Sequence, residues 1–260
     1  MITNEFDPQR RAIINPEDHI KPVEGLPPLC VGIFSHRTVE HLVARFGGVQ
    51  VSQCHCCTGD IPLYRLTAYG AGLTLFLPMV GGPGAAGFIE ELIPKGGRYF
   101  VFCGAAGVLD SQIAHGKLLL PTAAVRDEGL SYHYLPPADE VALDPLCVDA
   151  CRQALTGLGF PFAEGKTWTT DAFYRETQAK LARRKAQGCI SVEMECASLA
   201  AVAQFRGVPF AQFFWATDTL DGDGWDKGIL SGKGAGLEEV CLQAAVETGK
   251  RLAASANRQV

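Results

Sequence analysis

The chain has 260 residues, 47% of them hydrophobic and 20% charged, with 23 Lys and Arg against 28 Asp and Glu for a formal charge of −5. A chain of this length buries roughly three quarters of the surface it exposes when unfolded, so a core forms without disulfides or a structural metal, and disorder, collagen and coiled coil are excluded. The acidic balance lacks the broad positive field that a phosphate backbone demands, so DNA and RNA are not expected partners.

Taken in chain order, short aliphatic or β-branched runs alternate with stretches whose apolar residues recur at helical spacing, the pattern of a layered α/β fold. Residues 1–28 mix charges with prolines and read as an N-terminal extension; 29–260 read as a single domain. Strand Leu29 to Phe34 is followed by helix Thr38 to Phe46, then by strands Leu63 to Thr67 and Leu73 to Pro78, which form a hairpin joined at Gly70 to Gly72. Helix Ala85 to Ile93 leads to strands Tyr99 to Cys103 and Lys117 to Pro121, and helix Pro145 to Leu158 to strand Lys166 to Thr170. Helix Arg175 to Lys185, strand Cys189 to Val192, helix Glu195 to Phe205 and strand Phe210 to Trp215 follow. A mobile surface loop is expected over Asp221 to Gly236, then a last helix, Leu237 to Ala253. A hairpin beside continuous apolar runs predicts a mixed sheet.

No run of about 18 apolar residues is present, and the N-terminus lacks a basic start with an apolar stretch, so neither a membrane span nor a secretory signal is expected. Of the ten cysteines, Cys103, Cys189, Cys196 and Cys241 sit in apolar surroundings, as in a reduced, cytoplasmic protein. The Cys54, His55, Cys56, Cys57 cluster lacks the paired spacing of a closed zinc site, and no metal is assigned to it.

In open α/β sheets ligands bind beyond the carboxyl ends of strands. Four segments fall there: Gly81 to Gly84, Gly104 to Gly107, Thr170 to Tyr174 and Val192 to Glu195. The first opens a helix whose free N–H groups could hold an anion or hydroxyl, although a tight turn needs the same glycines. In the second, small residues admit a ligand to the backbone or a helix to close packing. Glu193 and Glu195 flank Met194 before an apolar helix, where a carboxylate needs donors or serves as a cap. Asp218 closes the last strand; desolvation there favours the acid form, which suits a proton donor to a leaving group, while a turn cap is the plainer role. Phe173 beside Asp171 could stack on a flat heterocycle. No nucleophile elbow, Walker A loop or Gly-x-Gly-x-x-Gly entering a helix is present, so serine-hydrolase, P-loop and Rossmann chemistry are not expected.

In this order the segments resemble the nucleoside phosphorylase family, which includes uridine phosphorylase, hexameric purine nucleoside phosphorylase and the methylthioadenosine and adenosylhomocysteine nucleosidases. The likeness covers Val31 to Phe46, Pro78 to Asp110, Ile113 to Pro136, Thr169 to Tyr174 and Ser191 to Asp218. It implies a three-layer αβα sandwich with a mixed central sheet, and an oligomeric enzyme that breaks the N-glycosidic bond of a nucleoside. It further implies that Met194 packs under the ribose, that Glu195 accepts from its 2′ and 3′ hydroxyls with Glu193 in support, and that Phe173 and Gly107 line the base. Asp218 matches the aspartate that protonates the departing base in purine-cleaving members. The phosphate or water site falls on Arg37, Gly82, Gly104 and Ala105; no cofactor is implied, and phosphate is the candidate co-substrate.

The chain departs from the phosphorylase pattern at the anion site. Phe102 and Ala105 stand where that pattern keeps an arginine and a threonine, Met79 replaces a glycine, and a second arginine is missing from Ser52 to His55. Arg37 is the surviving cation, and each charged hydrogen bond lost removes roughly 1.5–3 kcal/mol. The hydrolytic branch instead activates water with a glutamate, for which Glu40 is the matching candidate. His19 and His55 are candidates to reach a neighbouring subunit's site. A nucleoside-binding protein that kept the sugar and base pocket is the rival reading.

Overall fold

The computed structural model describes residues 2–113, 116–222, 224–229 and 237–256. Its elements in chain order are α1 (Pro16–His19), β1 (Leu29–Ile33), α2 (His36–Phe46), β2 (Val49–Cys54), β3 (Ile61–Ala68), β4 (Ala71–Phe76), α3 (Gly82–Lys95), β5 (Tyr99–Val108) and β6 (Leu118–Asp127). There follow α4 (Ser131–Tyr134), β7 (Glu140–Ala142), α5 (Pro145–Gly157), β8 (Phe162–Thr170), α6 (Gln178–Ala186), β9 (Cys189–Glu193), α7 (Cys196–Arg206), β10 (Phe210–Thr219) and α8 (Leu237–Ala256).

One mixed sheet of ten strands runs β10-β6-β8-β9-β5-β1-β4-β3-β2, with β7 on β6. Helices α2, α5 and α8 cover one side, and α1, α3, α4 and α7 pack together on the other. This is the αβα architecture expected. A further pairing, β10 with β5, closes β5, β9, β8, β6 and β10 into a ring that the sequence did not announce.

The Tyr99-to-Cys103 and Phe210-to-Trp215 expectations are too short: β5 runs through Gly104 to Gly107, and β10 runs through Asp218. The ladder with β10 holds Gly104 to Ala106 extended, and β9 holds Gly107, despite the poor β propensity of Gly and Ala. Both segments therefore lie inside strands, not beyond their ends. The hairpin is present, but its turn is Tyr69-Gly70, with Ala68 paired to Ala71 and both turn residues at positive φ (49° and 76°), the geometry of a two-residue primed turn. Strand β2 escapes the sequence pattern because it is an edge strand, VQVSQC, with only Cys54 buried. Part of the loop expected over 221–236 falls outside the described residues.

The topology makes one crevice. Strand β10 takes one edge of β5 from Phe100 to Ala106 and again at Val108, with an irregularity between Ala216 and Thr219. On the other edge β1 pairs in parallel with Tyr99 to Cys103, while β9 arrives antiparallel and meets only Gly107 and Val108. Between them that edge has no ladder partner over Gly104 to Ala106, and the chain ends leaving β1 and β9 both turn there, as at a topological switch point.

Candidate active site

The turn after β9 carries two buried carboxylates with different partners. Glu193 Oε2 accepts from the amides of Glu195 and Cys196, both at 2.7 Å, and Oε1 accepts from Thr169 Oγ1 at 2.5 Å and Thr167 Oγ1 at 3.4 Å. Thr169 in turn accepts from the Ala197 amide at 3.0 Å. Glu193 thus caps α7 and ties it to β8, satisfying amides that have no intrahelical partner. Its expected support of a sugar becomes indirect, since both of its oxygens face protein donors.

Glu195, 7% exposed, accepts from the Gly81 amide at 2.6 Å. Burial pushes both carboxyls above the usual range, Glu193 further because the charge of Glu195 faces it. The half-buried Met194 lies between them.

The Glu195 contact brings together two segments 114 residues apart. Gly81, at φ 90°, is a conformation for which glycine is suited, and it opens α3. Gly82 has a packing cause: a Cβ there would lie 2.3 Å from Ser198 Oγ of α7. Ser198 donates to the buried Glu128 at 2.6 Å, and Arg126 Nε donates to Ser131 Oγ at 2.7 Å with its guanidinium 3.9 Å from the Tyr132 ring centroid. The Arg126-to-Tyr134 stretch therefore braces α3 and α7 behind Glu195.

On the other flank of β5 is a cavity of about 310 Å³ lined by Phe34, Arg37, Ala105, Trp215, Thr217 and Cys241, among others. Ser35 caps α2 here, accepting from the Thr38 amide at 3.3 Å and hydroxyl at 2.8 Å, which presents the exposed Arg37 in the first turn. Phe102 does not reach this space. It is fully buried, with ring centroids 5.6–6.0 Å from Phe34, Phe76 and Phe210, and Gly32 admits it, since a Cβ there would lie 2.7 Å from the Phe102 ring. Gly104 gives Phe34 similar room, at 3.0 Å. Glu40 is exposed on α2, beside His36 at 3.3 Å, and is not among the described walls of this cavity.

Asp218 stands on β10 beside Gly107, with Oδ1 3.6 Å from where a Gly107 Cβ would be. Its Oδ1 accepts from Thr217 Oγ1 at 2.8 Å and its Oδ2 from the Trp225 indole at 2.7 Å. Gly107 pairs with Val192, the residue before Glu193, so Asp218 and the carboxylate turn flank the same two residues of β5. Phe173 is 49% exposed on a short 3-10 turn, its ring centroid 4.0 Å from that of Tyr174. Glu176, just beyond, has its carboxyl pushed up to about 7 by burial and by the nearby charge of Asp218.

The sequence reading missed Glu176, Trp225 and the Thr167–Thr169 pair. The threonines are ordinary strand residues, and Glu176 and Trp225 sit in irregular segments where no periodicity marks them. Among the described residues no group of three His, Cys, Asp or Glu side chains could hold a metal ion; His55 faces Asp60 at 2.8 Å and Cys56 faces Thr58 at 2.9 Å.

The chain is an α/β protein with a closed ring of strands in its sheet and two buried glutamates at a switch-point strand. Residues 37–255 match the sequence profile of the phosphorylase superfamily, and the chain belongs to that family. It is 29% identical over 143 residues to uridine phosphorylase of Salmonella typhimurium, covering 50% of this chain and 56% of that protein. It is 27% identical over 139 residues to guanosine phosphorylase of Halorubrum lacusprofundi, covering 54% and 58%. The matched stretch thus spans about half the length of these relatives. The fold is similar to purine nucleoside phosphorylase of Toxoplasma gondii (TM-score 0.74, 20% identity, 93% of this chain and 98% of that one). It is also similar to AMP nucleosidase of Bacteroides thetaiotaomicron (TM-score 0.69, 20% identity, 86% and 88%).

Proposed function

We propose that the protein cleaves the N-glycosidic bond of a purine-type nucleoside. Glu195 accepts from the 2′ and 3′ hydroxyls of the sugar, Met194 packs beneath it, and Phe173 and Gly107 border the base. As the bond breaks, its electron pair goes to the base while Asp218 gives the base nitrogen a proton. A carboxylate near the cationic sugar and an acid near the anionic base favour the transition state over the ground state. The single observation that carries this reading is the placement of Asp218 and the Val192-to-Glu195 turn on opposite edges of β5 at Gly107.

Water suffices as the acceptor, with phosphate at most a weak co-substrate held by Arg37. The burial of Phe102 among three other phenylalanines supports this, because at the position where the resemblance places a phosphate arginine the chain has a core side chain that donates nothing. Ten free thiols support a cytoplasmic location, and among the described residues no helix is long and apolar enough to cross a membrane. The exposed His19 and His55 suit a homo-oligomer, a dimer or hexamer, in which a neighbour completes the site.

Incubating the protein with inosine, guanosine, adenosine and uridine, with and without phosphate, tests the proposal. Release of base from a purine nucleoside in both conditions is expected; no release in either defeats it, and release only with phosphate defeats the choice of acceptor. The same Phe102 and Ala105 replacements favour one other reading, a nucleoside-binding protein without turnover. Calorimetric binding of an intact nucleoside, abolished by Glu195→Ala, would then replace catalysis.

A further inference from the structure

Asp218 is held by a residue that the proposed reaction does not use. The chain leaves β10 and turns back on itself: Thr219 and Asp226 exchange backbone hydrogen bonds of 2.9 and 3.1 Å, the Ile229 amide donates to the Thr217 carbonyl at 2.8 Å, and the Gly228 amide donates to Asp226 Oδ1 at 3.0 Å. This return sets Trp225 over the end of β10, where its indole N–H donates to Asp218 Oδ2 at 2.7 Å. The ring is 59% exposed, and among the described residues Lys227 lies over its face, 5.7 Å from the centroid. Core packing therefore does not explain the position of so large an apolar side chain; the hydrogen bond and the backbone return do.

An indole nitrogen only donates, so it binds Asp218 as an acceptor. The indole thus engages Oδ2, while the Thr217 hydroxyl beside Oδ1 is shared with the Ala106 carbonyl at 3.1 Å. The indole is a flat heterocycle that meets Oδ2 as a donor, whereas the base nitrogen meets the protonated carboxyl as an acceptor. We propose that Trp225 is a positioning residue for Asp218, occupying the oxygen that serves the base and yielding it when the base arrives. In the cycle that follows, Trp225 swings off Oδ2 and the freed carboxyl takes a proton from solvent. The C–N bond breaks with its electron pair going to the base, that proton passes to the base nitrogen, water adds to the cationic sugar carbon and gives a proton to solvent, and the carboxylate left behind accepts the indole N–H again. The proposal rests on Asp218 being the acid; the contact itself is testable without turnover.

Trp225→Phe keeps an aromatic ring and deletes only the donor. The nucleoside no longer displaces an indole, so KM for the purine nucleoside is expected to fall about tenfold, the equivalent of about one hydrogen bond, while kcat stays within a few-fold. The second arm uses the ¹⁵N-labelled full chain, whose three tryptophans give three indole N–H signals, the one lost in Trp225→Phe being Trp225. Asp218→Asn and, separately, saturating inosine should each move that signal. If they do while no nucleoside is cleaved, the positioning contact stands and the enzymatic reading fails. If nucleoside is cleaved but Trp225→Phe leaves KM unchanged, or inosine leaves the indole signal in place, the proposal is overturned and the enzymatic reading survives.

Discussion

Two glutamates separated by one residue take different work because their neighbours differ. Glu193 is surrounded by two amides and two threonine hydroxyls and holds the helix start, whereas Glu195 reaches out of the turn to the amide of Gly81. Glu193→Gln should therefore lower the melting temperature, by the equivalent of about 1–3 kcal/mol for a mispaired buried acceptor. Glu195→Gln should instead melt closer to the wild type and lose roughly 10- to 100-fold in kcat/KM, read by thermal denaturation and nucleoside assay side by side. The sequence marked both carboxylates, but not their division of labour, because the amides and hydroxyls around Glu193 come from α7 and β8 and meet only in the folded chain. Glu176 carries a pH signature. Its raised pKa of about 7, from burial and then from Asp218, means that its protonated form suits the fold, so this contribution is present in acid and is lost as pH rises from about 4.5 through 7. Glu176→Gln should accordingly raise the melting temperature at pH 8 and leave it unchanged near pH 4.

At the scale of elements, close approach of backbones explains several glycines better than ligand contact does. Gly249 on α8 faces Leu29 of β1, and a Cβ there would lie 2.4 Å from Leu29 Cδ1. Gly249→Ala should overpack this helix–strand seam and destabilise the protein by about 1–3 kcal/mol, measurable as a fall in the denaturation midpoint. Gly82 against Ser198 is the same device between α3 and α7, which removes the need to assign that glycine an anion. Most helices and strands were legible from apolar periodicity, since each buries a continuous face. Strands β5 and β10 were underestimated because Gly104 to Gly107 are extended by their ladder partners and not by their own preference, and because β10 passes through an irregularity between Ala216 and Thr219 before pairing again at Thr219. Trp225 lay beyond any local rule, as only the pairing of Asp226 with Thr219 at the end of β10 brings it to Asp218.

For the whole molecule, the ring of five strands and the aromatic cluster inside the sheet form the core on which the crevice is built. Phe102 is packed against three other phenylalanines and is part of the core, so Phe102→Ala should cost about 3–5 kcal/mol of stability without making base release depend on phosphate. Sequence alone exposed the loss of the anion-binding side chains; that Phe102 is buried in the core while Ala105 lines the cavity required the fold. Everything functional rests on a sugar gripped by Glu195 and a base met by Asp218 on the two flanks of β5. A crystal structure of the protein soaked with inosine tests this most directly. The sugar hydroxyls should lie within hydrogen-bonding distance of Glu195 and a ring nitrogen of the base near Asp218 Oδ2, with Trp225 moved away. A nucleoside bound elsewhere, or bound in the crevice with neither carboxylate touching it, contradicts it.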